Sequence, residues 1–256
     1  MICNRVGFIS LAKREILRFF VVWSQTLVPP LISSSLFIFV FGFSIGRNLN
    51  VSVEGVSYLQ FIVPGLVMMH LIDSSYTNTS SSLFISRWHN IIQEILLSPL
   101  SYFEMVLALL VGGIARGLIV GTGVYGISLL FTRFAFHNIF IVAYFYFTIT
   151  LIFSLLGLLV GLWADGFEKL SFWNTFVLTP LIYFGGVFHS LKMVPGPLKI
   201  VTQMNPIFYW VNGLRYGMIG VSDVSVPASM ILAAVFAILL FICVERLFRM
   251  GYKLRS

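Results

Sequence analysis

Apolar residues run along this chain in long blocks, and the polar intervals between them are short. One interval away from the chain ends has a helical period of its own. Around Ser86–Pro99, the residues Phe84, Trp88, Ile91, Ile92, Ile95 and Leu96 fall on one helical face. Arg87, Asn90, Gln93 and Glu94 fall on the other, together with Leu97. Pro99 disfavours the helical region at Ser98, so the pattern predicts an amphipathic helix over 86–97. Flanked by apolar runs, it reads as a helix at a membrane surface with its polar face turned to the cytoplasm. A surface helix that only packs against its own spans fits the same spacing.

The blocks themselves predict six membrane spans, at about 23–45, 58–78, 103–131, 139–163, 170–188 and 228–245. Pro29 and Pro30 are expected to kink the first third of span 1, and Pro180 interrupts span 5. Span 2 fades into Thr77–Ser82 ahead of the amphipathic segment. Gly113, Gly117 and Gly121 in span 3, and Gly157 and Gly161 in span 4, recur every four residues and let another helix approach closely. Before span 1, Phe8, Ile9, Ala12, Ile16, Phe19 and Phe20 share a face opposite Lys13, Arg14 and Arg18. That is the pattern of an interfacial helix, and no cleavable leader fits it. Glu15 interrupts the apolar face and is placed to pair with Arg18. Between spans 5 and 6, Pro195-Gly196-Pro197 and Asn205-Pro206 break the chain, and 207–221 is too short to cross a bilayer. This region, carrying Arg215, reads as a re-entrant or interfacial hairpin.

Composition places the chain in a membrane. Hydrophobic residues make up 59% and charged residues 10%, with a mean hydropathy of +0.98. A soluble domain carries about 45–50% apolar and about 25% charged residues. The 16 Lys+Arg against 9 Asp+Glu therefore point to basic ends at anionic lipid, and no nucleic-acid partner is needed to explain them. Six spans put the basic N-tail and the tail carrying Arg246, Arg249, Lys253 and Arg255 together in the cytoplasm. Cys3 and Cys243 lie near opposite ends, make no metal-ligand spacing and are not expected to pair.

Catalytic motifs are missing. No Lys follows a Gly, so no P-loop is present; there is no His-Glu-x-x-His, and Gly126-Ile127-Ser128 lacks the second glycine of a nucleophile elbow. The intramembrane charges are Asp73 and Arg116, each of which should face the bundle interior or water. Arg116 sits near mid-membrane, whereas Asp73 is expected only about five residues from the cytoplasmic end of span 2. A proton-coupled secondary transporter could use such a pair, and a structural ion pair or snorkelling explains it equally.

Three segments together resemble the permease subunits of ABC type-2 exporters, in the small bacterial inner-membrane branch. Gln93–Pro99 is similar to their segment between spans 2 and 3, and Thr179–Phe188 to their fifth span. Asn205-Pro206-Ile207-Phe208-Tyr209-Trp210, with Leu214-Arg215-Tyr216 and Gly220, resembles their extracellular hairpin. The likeness covers essentially 1–256 as one all-α transmembrane domain. It implies a homodimer bound to two copies of a separate P-loop ATPase, which holds the ATP and Mg while this chain binds no cofactor or metal. Arg87, Trp88, Asn90, Ile91, Gln93 and Glu94 would form the coupling helix. Phe61, Tyr76, Tyr183 and Phe184 would line a path for a lipid, drug or lipid-linked glycan, closed outside by the hairpin at 190–222 with Asn205, Pro206 and Arg215.

Overall fold

The computed structural model describes residues 4–44, 52–53, 55–132 and 136–254. Helix α1 (Arg5–Val21) opens where the Asn4 side chain accepts the amide of Gly7. A single turn, α2 (Trp23–Thr26), precedes α3 (Val28–Ser44). The expected proline kink is displaced. The helix breaks at Leu27, and Pro29 and Pro30 fall in the first turn of α3, where an amide has no intrahelical acceptor in any case. The end of the expected first span at 45, Cys3 and Arg255 lie outside the described residues. A two-residue antiparallel pair, β1 (Ser52–Val53) and β2 (Val56–Ser57), leads into α4 (Tyr58–Trp88).

Helix α4 corrects the expected end of span 2. Its 31 residues begin at a capping box between Ser57 and Gln60 and run straight through the polar stretch 77–82. The hydroxyls there bond back to their own helix: Ser75 to the carbonyl of Leu71 (2.7 Å), Thr79 to Ser75 (3.2 Å) and Ser81 to Thr77 (2.7 Å). Most of these side chains are buried among other helices, so no water competes for the backbone and the run stays helical.

After the short α5 (Ile91–Leu97) come α6 (Tyr102–Ser128) and α7 (Ile139–Trp163). The fifth apolar segment is α8 (Phe167–Phe172), a π-helical stretch over Trp173–Leu178, and α9 (Thr179–Phe184). Pro180 has no amide for the carbonyl four residues back, and the helix widens there; the Thr179 hydroxyl donates to the Asn174 carbonyl at 2.9 Å. A 3-10 turn (Leu191–Met193), α10 (Gly196–Met204), α11 (Pro206–Ile219) and α12 (Val226–Met250) complete the chain. Among the described residues, four segments are long and apolar enough to cross a membrane: Trp23–Phe41, α6, α7 and α12.

The longest helix is also the most enclosed. Helix α4 packs chiefly on α7 and α6, while α1 lies on α6 and α11 and α12 pack on α7. Glycines set the approach. Gly113 meets Ser154 and Thr79, Gly117 meets Ser75 and Thr150, and Gly157 and Gly161 meet the α4 backbone at Tyr76 and Ser80. A Cβ on Gly157 would stand 2.5 Å from the Tyr76 carbonyl oxygen, whereas Gly126 has open space. Gly157→Leu is therefore expected to destabilise the bundle by about 1–3 kcal/mol or to prevent folding. Gly126→Ala should be neutral or slightly stabilising. Thermal unfolding in detergent distinguishes the two.

Candidate functional site: an exposed helix end and a mid-membrane polar stripe

The segment 86–97 is not one helix. Ser86, Arg87 and Trp88 are the last turn of α4, and the chain then turns at His89 and Asn90. Asn90 adopts a left-handed conformation (φ 61°, ψ 9°), which asparagine tolerates better than most side chains. The turn starts α5 in a new direction. Ile92 and Ile95 enter a core with Leu83, Met105 and Phe248. Asn90, Gln93, Glu94 and Leu97 are exposed. Ile91 and Trp88, on the apolar face by periodicity, are also exposed, at 37% and 56%. The Trp88 ring rests beside Phe84 and Phe167.

Arg87 has a different place from the one its spacing suggests. Its Nη1 donates to the carbonyls of Gly161, Leu162 and Ala164 (2.7–3.0 Å), and its Nε to that of Lys253 (2.9 Å). It thus caps the unsatisfied C-terminal carbonyls of α7 and ties them to the C-terminal tail through its Nε and Nη1 donors. A second clip lies alongside: Asp165 pairs with Lys253 (2.5 Å) and Lys169 (2.8 Å). The hydrogen bonds from Lys169 and Lys253 hold the Asp165 carboxyl at about 2, below its ordinary 3.8. A depressed acid contributes its stability above the ordinary value and loses it as pH falls through about 2, so the clip is intact at all physiological pH.

Deeper in the bundle, the longer α4 revises the depth of Asp73. Asp73 lies 15 residues before Trp88, and Arg116 lies 14 residues after Tyr102. At about 1.5 Å per residue the two stand at similar depths, roughly 21–23 Å from that end. They interact through space without forming an ion pair among the described residues; Asp73 instead accepts the Asn174 Nδ2–H at 3.4 Å. Glu15 is fully buried between α1 and α4, where it takes the Ser82 hydroxyl (2.5 Å) and pairs with Arg14 (2.8 Å) and Arg18 (3.6 Å). Arg18 also donates to the Asn78 carbonyl and side chain. Sequence spacing anticipated Arg18 but gave no signal for Ser82, Asn78 or Asn174.

At the other end of α4, Asn205 caps α11 by accepting the Ile207 amide, and its Nδ2 donates to the Leu181 carbonyl (2.6 Å), with Pro206 in the first turn. Arg215 is wholly buried: it donates to the carbonyls of Gly186 (2.6 Å) and Phe61 (3.4 Å) and stacks 3.9 Å over the Phe61 ring. Of the four aromatic residues expected along a path, Phe61 and Tyr76 are interior. Tyr183 and Phe184 are exposed on α9, Tyr183 stacked on Phe188. Among the described residues no cluster of His, Cys, Asp and Glu fits a metal.

A family model described as ABC-2 type transporter matches residues 6–219. The chain is 40% identical over 251 residues to the inner membrane transport permease YadH of Escherichia coli K12, covering 98% of each. It is 26% identical to nodulation protein J of Rhizobium meliloti, over 72% of this chain and 71% of that one. The same identity is found with nodulation protein J of Bradyrhizobium diazoefficiens, over 82% and 81%.

Arg87→Ala should cost about 1.5–3 kcal/mol, the worth of charge-assisted hydrogen bonds, and expose the C-terminal tail to protease. Gln93→Ala, at an exposed position, should stay within about 0.5 kcal/mol. Thermal unfolding and limited proteolysis in detergent check both.

Proposed function

We propose that this chain, which belongs to the ABC-2 type transporter family, is the membrane-spanning permease of an ATP-driven exporter. It would sit in a bacterial inner membrane, as the name of its YadH relative says of that protein. Two copies would bind two copies of a separate P-loop ATPase, which supplies ATP and Mg. The observation that carries this reading is the geometry of α5. Its apolar side is seated in the bundle, while Asn90, Gln93, Glu94 and Leu97 remain exposed at the end of the most buried helix. A surface built in this way can receive a push and pass it into the membrane. Closure of the ATPases would move α5, and α4 with it, between two arrangements of the path.

In this reading α4, α6, α7 and α12 each cross once, as do α3 and the broken α8–α9 unit, giving six spans with both tails cytoplasmic. Helix α11 is 14 residues long, about 21 Å, and is short of the ~30 Å hydrocarbon core. With α10 it would form a hairpin entering from the outer side, held by the buried Arg215. Its substrate would be an amphipathic lipid, drug or lipid-linked glycan.

Glu94→Lys should weaken binding of the ATPase about tenfold, ~1.4 kcal/mol, while expression and dimerisation are retained. Ile92→Asp should prevent folding, because it buries an unpaired charge. Co-purification with the P-loop partner and nucleotide turnover are the measurements. The chain alone should hydrolyse no ATP; turnover without a partner, or export driven by a pH gradient without ATP, would overturn the reading.

A further inference from the structure

Helix α4 is enclosed on almost every side between Phe61 and Phe84, with one regular exception. Met69, Asp73, Thr77 and Ser81 are each partly exposed, while the three residues between each pair of them are buried. The spacing of four draws one open stripe along an otherwise packed helix. Arg116 of α6 and Asn174 of the π-helical stretch are partly exposed as well, and both reach Asp73, one through space and one by hydrogen bond. Arg18 of α1 lies within electrostatic range of Arg116.

The groups on this stripe differ in what they still have to offer. Asp73 has the Asn174 amide and the neighbouring Thr77 hydroxyl beside it. Arg18 has Glu15 and Asn78. Arg116 makes no hydrogen bond or ion pair with any described residue, and its Nε is buried without an acceptor. A guanidinium held at mid-depth in a membrane helix without an acceptor is costly, and its planar fork of donors matches a phosphate or carboxylate. Toward the docking end the stripe continues polar, through Thr77 and Ser81; toward the other end it becomes apolar at Met69. A head can therefore be held at Arg116 while an apolar tail lies along the remainder.

We infer that this stripe is a water-accessible substrate groove in which Arg116 receives the phosphate or carboxylate headgroup of an anionic amphiphile. The inference rests on the permease reading above and narrows it to a substrate class and one positioning cation.

The test uses the full chain with Cys3 and Cys243 replaced by serine and a single Thr77→Cys, treated in membranes with anionic and cationic methanethiosulfonate reagents. Thr77→Cys should react with both, while Ile231→Cys, on the exposed apolar face of α12, should react with neither. Arg116→Gln should lower the anionic-to-cationic rate ratio at Thr77→Cys about tenfold, with Arg116→Lys retaining most of it. If Arg116→Gln does not accumulate, Asp73→Asn provides the opposite change and should raise the ratio. An unreactive Thr77→Cys, or a ratio indifferent to these charges, overturns the inference. Either result leaves the permease reading standing, because that depends on partner-dependent ATP hydrolysis. The last arm asks what protects Thr77→Cys in reconstituted vesicles. Phosphatidylglycerol in a phosphatidylcholine bilayer should slow its modification, and inorganic phosphate should not. Equal protection by inorganic phosphate would mean a free-anion site and would overturn the amphiphile assignment.

Discussion

The constraint on which the rest depends is that the most polar long helix of this chain sits in its middle. Helix α4 carries an aspartate, an asparagine and a run of serines and threonines, and a hydrocarbon surround offers none of them a partner. The chain meets this locally and globally. Ser75, Thr79 and Ser81 return their hydroxyls to carbonyls of their own helix, and glycines on α6 and α7 let those backbones close over the rest, with Thr79 donating across to the Ser154 carbonyl at 2.8 Å. From the α1 side, the buried Glu15 takes the Ser82 hydroxyl, and Arg18 donates to the Asn78 carbonyl and Oδ1. One side is left open, and it is the side that carries Asp73, Thr77 and Ser81.

A helix held this way is fastened at both ends. Its last turn is fastened by Arg87 to the end of α7 and to the C-terminal tail, and α5 is set against the same core by Ile92 and Ile95. In the proposed reading, a displacement applied at the exposed face of α5 would be handed to α4 and α7 together. Near its other end α4 is fastened again, through Arg215 on Phe61 and Tyr58 on the Phe188 carbonyl (3.3 Å). The polar stripe lies between these two fastenings, which is where a change of tilt in α4 would open or close it.

Much of this is legible in the sequence. The apolar blocks set the positions of α6 and α7, the glycine spacings marked the close faces, and Asn205-Pro206 marked the start of α11. Three of the departures from the sequence pattern show a local preference yielding to packing. Thr77–Ser82 has the composition of a loop in water, but buried in the bundle it has no water to turn toward and stays helical. Arg87 sits on the polar face by periodicity, yet the free carbonyls at the end of α7 lie within its reach, and no single-helix pattern can register a neighbouring helix end. Trp88 was grouped with the buried face, but the turn at Asn90 gives α5 a different face from the helix that contains Trp88. The period of four in Asp73, Thr77 and Ser81 was present in the sequence, and it gains meaning only when their neighbours are known to be covered.

One uninterrupted helix, α4, runs from the turn that precedes α5 to the mid-membrane stripe. Amide hydrogen exchange in the detergent-solubilised full chain tests it most directly, read over Thr77–Ser86 against Ile62–Ile72 of the same helix. A continuous, enclosed α4 predicts that both stretches exchange equally slowly. Exchange of Thr77–Ser86 within seconds, at the rate of an unprotected amide, would contradict it.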